Sequence, residues 1–167
     1  MTGLVVEGRL RTAGVSNFQP AHLDRIIAET GITPAVNQVE LHPYFANRAV
    51  RAAAARHGVA IEAHSPPGHD GKPLSDETIT GIAVARGKTP AQVILRWHLQ
   101  HGTIVIPKPA RPERMAENLA VLDFELSAEE IASIGGLDRG RAAATGPTPT
   151  PTRESDLCGG LSATRSS

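Results

Sequence analysis

The densest set of chemically capable side chains follows an apolar run. Thr103 to Pro107 reads TIVIP, a short strand, and Lys108 stands at its end. Arg111, Arg114 and Asn118 come next at i, i+3 and i+7, one face of a helix expected over 111–121, with Glu117 beside them. Cations gathered where a helix begins make a natural anion site, because free backbone N–H groups and the helix dipole both favour negative charge there. Arginine can hold a phosphate through two parallel N–H bonds. The plainer reading of the same spacing is a solvated basic face with Arg114 paired to Glu117.

Three further strand ends carry hydrogen-bonding side chains. Ser16 and Asn17 close the run RTAGVS. Asn37 and Gln38, then Glu40, close PAVNQV, and His64 and Ser65 close VAIEA. In parallel α/β folds ligands collect at the C-terminal ends of strands. Four polar ends in succession point to a ligand site, since a purely structural sheet needs none of them.

Other motifs fall short of chemistry. Gly87-Lys88-Thr89 resembles the end of a phosphate loop, but five residues separate Gly81 from Gly87 where four are required, and the segment joins two helices. No GxGxxG occurs. His98 and His101 lie three apart with no HExxH and no cysteine nearby, so a metal site is not expected. His42, before Pro43, reads as structural more than as a general base. Cys158 lacks a histidine partner or a helix N-terminus that would activate it.

The elements that must position these groups alternate. Residues 1–8 read as the end of a helix. Strands are expected at 11–16, 34–39, 59–63 and 103–106. Helices are expected from Pro20 to Thr30, Asn47 to His57, Ser75 to Arg86, Thr89 to His101, Arg111 to Val121 and Ser127 to Ile134. Gly31, Gly58 and Gly102 stop three of them. Thr89 with Gln92 and Ser127 with Glu130 are capping boxes. Strand and helix in regular alternation mean βαβ units and a parallel sheet. From Gly140 onward the chain has only two large apolar residues, Leu157 and Leu161. Residues 140–167 are therefore expected to be a disordered tail, with PTPTPT extended.

Composition excludes several classes. At 167 residues the chain is one domain with a tail. Lys+Arg and Asp+Glu are 17 each, so the balance is zero and a nucleic-acid partner is not expected. Aromatics are 3%, too few for a base-stacking platform. One cysteine allows no internal disulfide. No leader and no 18-residue apolar run is present, so a cytoplasmic protein without a membrane span is expected.

GRLRTAGVSNF (8–18), PAVNQVELHPY (34–44), GVAIEAHSPPG (58–68) and GKTPAQVILRWHLQHGTIVIPKPARPERMAENLAVLDFELSAEEIASI (87–134) together resemble the C-terminal half of the aldo-keto reductases, nearest to the bacterial 2,5-diketo-D-gluconate reductase type. The resemblance implies an α/β fold: half of a (β/α)8 TIM barrel, about four parallel strands alternating with helices over 1–139. It implies an oxidoreductase that uses NADP(H) to reduce aldehydes and ketones. By motif position Ser16, Asn17 and Gln38 meet the nicotinamide carboxamide, and His64 takes the place of the aromatic that stacks on the ring. Ser65 and Pro67 fall near the pyrophosphate. Lys108, Arg111 and Arg114 hold the adenosine 2′-phosphate, and Glu117 and Asn118 the adenine.

The chain departs from the family at His64, where Tyr or Trp is usual, at Pro67 for Leu, at Pro109 for Ser or Thr, and at Ala13 for a bulky aliphatic. The family's catalytic Asp, Tyr, Lys and His belong to the other half of the barrel, and Tyr44 is not at the acid's position. The chain alone is therefore expected to be inactive: a fragment of a reductase, or a remnant that at most binds nucleotide or a partner chain. A small carbonyl substrate is expected only for a complete barrel. A half-barrel would expose two strand edges and an open apolar inward face, so self-association is expected.

Overall fold

The computed structural model describes residues 2–106 and 120–144. It opens with a short helix α1 (Thr2–Val6), then β1 (Val15–Ser16), α2 (Pro20–Thr30), β2 (Val36–Glu40), α3 (Arg48–His57) and β3 (Ala60–His64). After a 3₁₀ turn at Lys72–Ser75 come α4 (Glu77–Arg86), α5 (Pro90–Gln100), β4 (Ile104–Val105) and, past a second 3₁₀ turn at Ala120–Leu122, α6 (Ala128–Gly135). The four strands form one sheet in the order β1-β2-β3-β4, every pair parallel. Parallel neighbours need crossovers, and α2, α3 and the α4–α5 pair provide them.

Local chemistry sets the boundaries. Pro20 and Pro90 sit at first helical positions, where a missing N–H is harmless. Thr89 accepts from the Gln92 N–H and Ser127 from the Glu130 N–H, as both capping boxes require. Gly58 ends α3 in the left-handed region, φ 68°, where a side chain would be strained. The helix expected from Ser75 begins two residues later, because Asp76 Oδ1 accepts from Thr78 N and makes Asp76 the cap. The strand expected over 11–16 shrinks to Val15–Ser16: the ladder reaches Ala13 O through Ala35 N, and the next residue back, Pro34, has no N–H to give. Ordered structure passes Arg139 into a 3₁₀ turn at Gly140–Ala143; residues 145–167 lie outside the described residues. So do 111–119 of the helix expected over 111–121.

Alternation splits the sheet into two unlike faces. Val39, Ile61 and Ala63 enter the helix layer, where they meet Leu23, Val50, Val93, Ile94 and Trp97. On the other face the register sets Ser16 beside Gln38, Gln38 beside Glu62, Glu62 beside Ile104, and Glu40 beside His64. The inward face is thus not the open apolar surface expected. Alternation sends Val39, Ile61 and Ala63 to the helices and leaves Gln38, Glu40, Glu62 and His64, with the apolar Val36 and Ala60, on the other face. Among the described residues no helix is long and apolar enough to cross a membrane.

Candidate active site

The site is built at the C-terminal ends of β1, β2 and β3. Ser16 Oγ donates to Gln38 O at 3.1 Å, and Asn17 N donates to the same oxygen at 2.8 Å. Gln38 Nε2 donates to Glu62 Oε1. Ser16, Gln38 and Glu62 therefore form one bonded row across three strands. The Gln38 side-chain oxygen and the whole Asn17 side-chain amide meet no partner among the described residues.

Backbone strain marks the same places. Asn17 (φ 59°) and Ser65 (φ 51°) are two of the three non-glycine residues in the left-handed region among the described residues, and both sit one step past a strand end. Such strain costs of order 1–3 kcal/mol and collects at ligand sites. At Asn17 it is held by Asn37, a fully buried residue whose Oδ1 accepts from Phe18 N (3.2 Å) and whose Nδ2 donates to Phe18 O (2.9 Å). At Ser65 it is held by a turn, Gly68 N to Ser65 O at 2.8 Å, and by His98.

His98 is fully buried and neutral: burial lowers its pKa to about 3. Its Nε2 lies 3.3 Å from Pro66 O, so Nε2–H donates and pins the Ser65–Gly68 turn. Gly68 has φ 80°, and a Cβ there would stand 3.3 Å from Pro73 Cδ, so the turn needs glycine. His64 is half-buried, edge-on to His69 with ring centroids 5.7 Å apart. Burial lowers its pKa, against the opposing pull of Glu40. Ser65 Oγ lies 3.1 Å from His69 Nε2, and Pro67 is half-buried in the same turn.

Ser16, Asn17, Gln38, His64, Ser65 and Pro67 thus share one edge of the sheet. Lys108, Arg111, Arg114, Glu117 and Asn118 lie outside the described residues. Glu62 and His98, which help hold the edge in place, were not singled out as site residues, and Asn37 was read only as one of the polar strand ends. The one signal for Asn37 was a polar residue at an alternation position that belongs to the helix layer. His98 gave none beyond its place on an otherwise apolar helix face.

Two other candidates are closed off. His42 is 3% exposed, its Nε2 is 3.4 Å from Glu40 Oε1, and burial lowers its pKa. Tyr44 is buried, donates to Asp76 Oδ2 at 2.8 Å, and carries the Arg139 guanidinium 3.7 Å over its ring. Burial first, and Asp76 second, make its phenol a weaker acid than usual. Among the described residues no group of histidine, cysteine or carboxylate side chains is arranged to hold a metal.

The family model described as "Aldo/keto reductase family" matches residues 1–139. An aldo-keto reductase of Mycolicibacterium smegmatis is 54% identical over 143 residues, covering 86% of this chain and 51% of its own length. The 2,5-diketo-D-gluconic acid reductase B of a Corynebacterium species is 48% identical over 134 residues, covering 80% and 48%. Among solved structures, a variant of Gox0644 in complex with NADPH superposes with a TM-score of 0.85 at 45% identity, covering 90% of this chain and 55% of its own. The chain spans about half the length of the curated relatives it matches.

Proposed function

The chain belongs to the aldo/keto reductase family, and on that footing we propose that it supplies the nicotinamide-side half of an NADP(H)-dependent reductase of aldehydes and ketones, and is inactive by itself. The observation that carries this reading is the bonded row Ser16–Gln38–Glu62 on the face turned away from the helices. A carboxamide ligand offers one acceptor and two donors. Gln38 Nε2 gives one N–H to Glu62, the Gln38 oxygen is left to accept, and the Asn17 amide can both donate and accept. These groups fit the nicotinamide carboxamide, and Ser16 sits between them.

When bound, the reduced nicotinamide supplies hydride to a carbonyl carbon. His64 offers a flat ring at the end of β3 and, held toward its neutral form by burial, adds little positive charge there. Ser65 and Pro67 lie in the turn assigned to the pyrophosphate. Lys108, Arg111 and Arg114 are assigned to the 2′-phosphate, and Glu117 and Asn118 to the adenine; charge of this kind favours NADPH over NADH. The NADPH in the similar Gox0644 structure supports the same cofactor here.

Carbonyl reduction also needs a proton for the developing alkoxide. Tyr44, the single tyrosine, donates its O–H to Asp76, and His42 is sealed from solvent. Both observations support a half that lacks the family's Asp, Tyr, Lys and His. The second reading, a remnant that binds nucleotide or a partner without turnover, draws on the same two observations.

NADPH fluorescence titration followed by an assay with a reactive aldehyde tests the proposal. Weak saturable binding is expected, tighter for NADPH than NADH, with no oxidation above the blank. Steady turnover by the chain alone would overturn the inactive half. Equal affinity for both nucleotides would overturn the phosphate assignment. Adding the first half of a relative separates the two readings, since only a reductase half regains turnover.

A further inference from the structure

The nicotinamide reading uses the C-terminal ends of the strands and leaves the other end of the sheet unexplained. There a cleft of about 490 Å³ opens between α3, the start of β3 and the loop from α5 into β4. That volume falls in the range of small-molecule pockets. Its apolar wall is Ala52, Ala55 and Val59; its polar side is Arg48, Arg51 and His101. No carboxylate is among the residues lining it.

Arg51 is the half-buried arginine that lacks a carboxylate among the described residues; Arg11, Arg139 and Arg141 lack one too, but they are exposed. Arg25, Arg48, Arg56, Arg86 and Arg96 each meet a carboxylate. Arg51 is half-buried, and among the described residues its side chain makes no hydrogen bond or ion pair. A partly desolvated cation without a counter-charge is unfavourable. Burial and the adjacent Arg48 both work against its charge. Arg48 cannot move off to relieve it, because its Nε is bound to Asp138 Oδ2 at 2.9 Å and a terminal nitrogen to Gly135 O at 2.8 Å. His101 is likewise held, with Nδ1–H donating to Trp97 O at 2.8 Å.

We propose that this cleft binds a small molecule bearing a carboxylate or phosphate on a short apolar body, with Arg51 as the anion's partner and the Ala52–Ala55–Val59 wall against the body. The anion supplies the counter-charge that Arg51 lacks among the described residues. The apolar wall accounts for the rest of the volume, which a bare ion would leave in contact with water.

Amide NMR spectra of the full chain, titrated with acetate, hexanoate and inorganic phosphate against chloride at matched ionic strength, test this. Saturable shifts are expected at Val59, Ala60, Gly102 and Thr103, with hexanoate tighter than acetate. Arg51→Met should weaken binding about tenfold or more, the loss of a charge-assisted pair. Arg51→Lys, which keeps the charge and the fold, should retain part of it. Arg56→Met, on the same helix but paired with Asp24, should leave it unchanged. Shifts that never saturate, or an Arg51→Met chain that binds like the parent, would overturn the site. Equal affinity for acetate and hexanoate would overturn the apolar body. The outcome is independent of nucleotide binding, which is read at Ser16, Asn17 and Gln38.

Discussion

Tyr44 Oη donates to Asp76 Oδ2 at 2.8 Å, tying the turn after β2 to the cap of α4 across 32 residues of sequence. Asp76 uses its other oxygen, Oδ1, to accept from Thr78 N. One carboxylate thus ends a long-range bond and starts a helix. Tyr44→Phe removes only the first role and should cost about 1 kcal/mol of stability. Asp76→Ala removes both and should cost about 1 kcal/mol more. Urea unfolding of the two variants checks the order; equal losses would mean that Asp76 does not cap.

Gly14 precedes β1 at a close approach. A Cβ there would lie 2.5 Å from Val36 Cγ1 and 3.2 Å from Val36 O. Gly14→Ala should push β1 off β2 and cost roughly 1–3 kcal/mol, as overpacking does. Adding Val36→Ala should recover part of that loss, because the nearer contact is with a side chain. A double-mutant cycle in urea measures the recovery; strictly additive losses would refute the contact as the cause.

Stability should fall with acid before any carboxylate titrates. Unfolded, His98 takes a proton near 6.5; folded, it resists until about 3. Between those values the unfolded state binds more protons, so stability rises with pH there. The contribution is full above 6.5 and is lost as the pH falls toward 3, at most ~1.4 kcal/mol per pH unit. His42, His64 and His101 are pushed in the same direction, each first by burial. Urea midpoints at about pH 7 and about pH 5 should differ less in His98→Gln than in the parent. An unchanged difference would mean that His98 charges freely in the folded state.

Among the described residues β1 and β4 each have a strand on one side only. Ile104 and Ile106 lie exposed along and just past β4. Unpaired edges recruit strands, and a two-fold axis along the sheet's strands would set β4 of one copy parallel to β1 of another. The chain is expected to associate at tens of micromolar. Ile106→Lys should shift it toward monomer in light scattering, and a sharp monomer peak for the parent would contradict the expectation.

The alternation of βα units was legible because periodicity and caps are local. Thr89 with Gln92, Ser127 with Glu130, and Gly31 and Gly58 each act within one turn of backbone, so neighbours in sequence suffice to read them. The polar strand ends Ser16, Asn17, Gln38, His64 and Ser65 were legible for the same reason. What holds them was not. Asn37 reaches back 19 residues to Phe18, and His98 reaches back 32 to Pro66.

Within the described residues the sequence by itself thus determined which elements form, in what order, and which side chains end β1, β2 and β3. The tertiary structure alone decided that Ser16, Gln38 and Glu62 make one bonded row, that Tyr44 donates its O–H to Asp76, and that Arg51 has no counter-charge among the described residues. Helix caps and alternation depend on residues within a few positions of each other. Registers, burial and electrostatic partners depend on segments far apart in the chain, and no local pattern encodes where those segments meet.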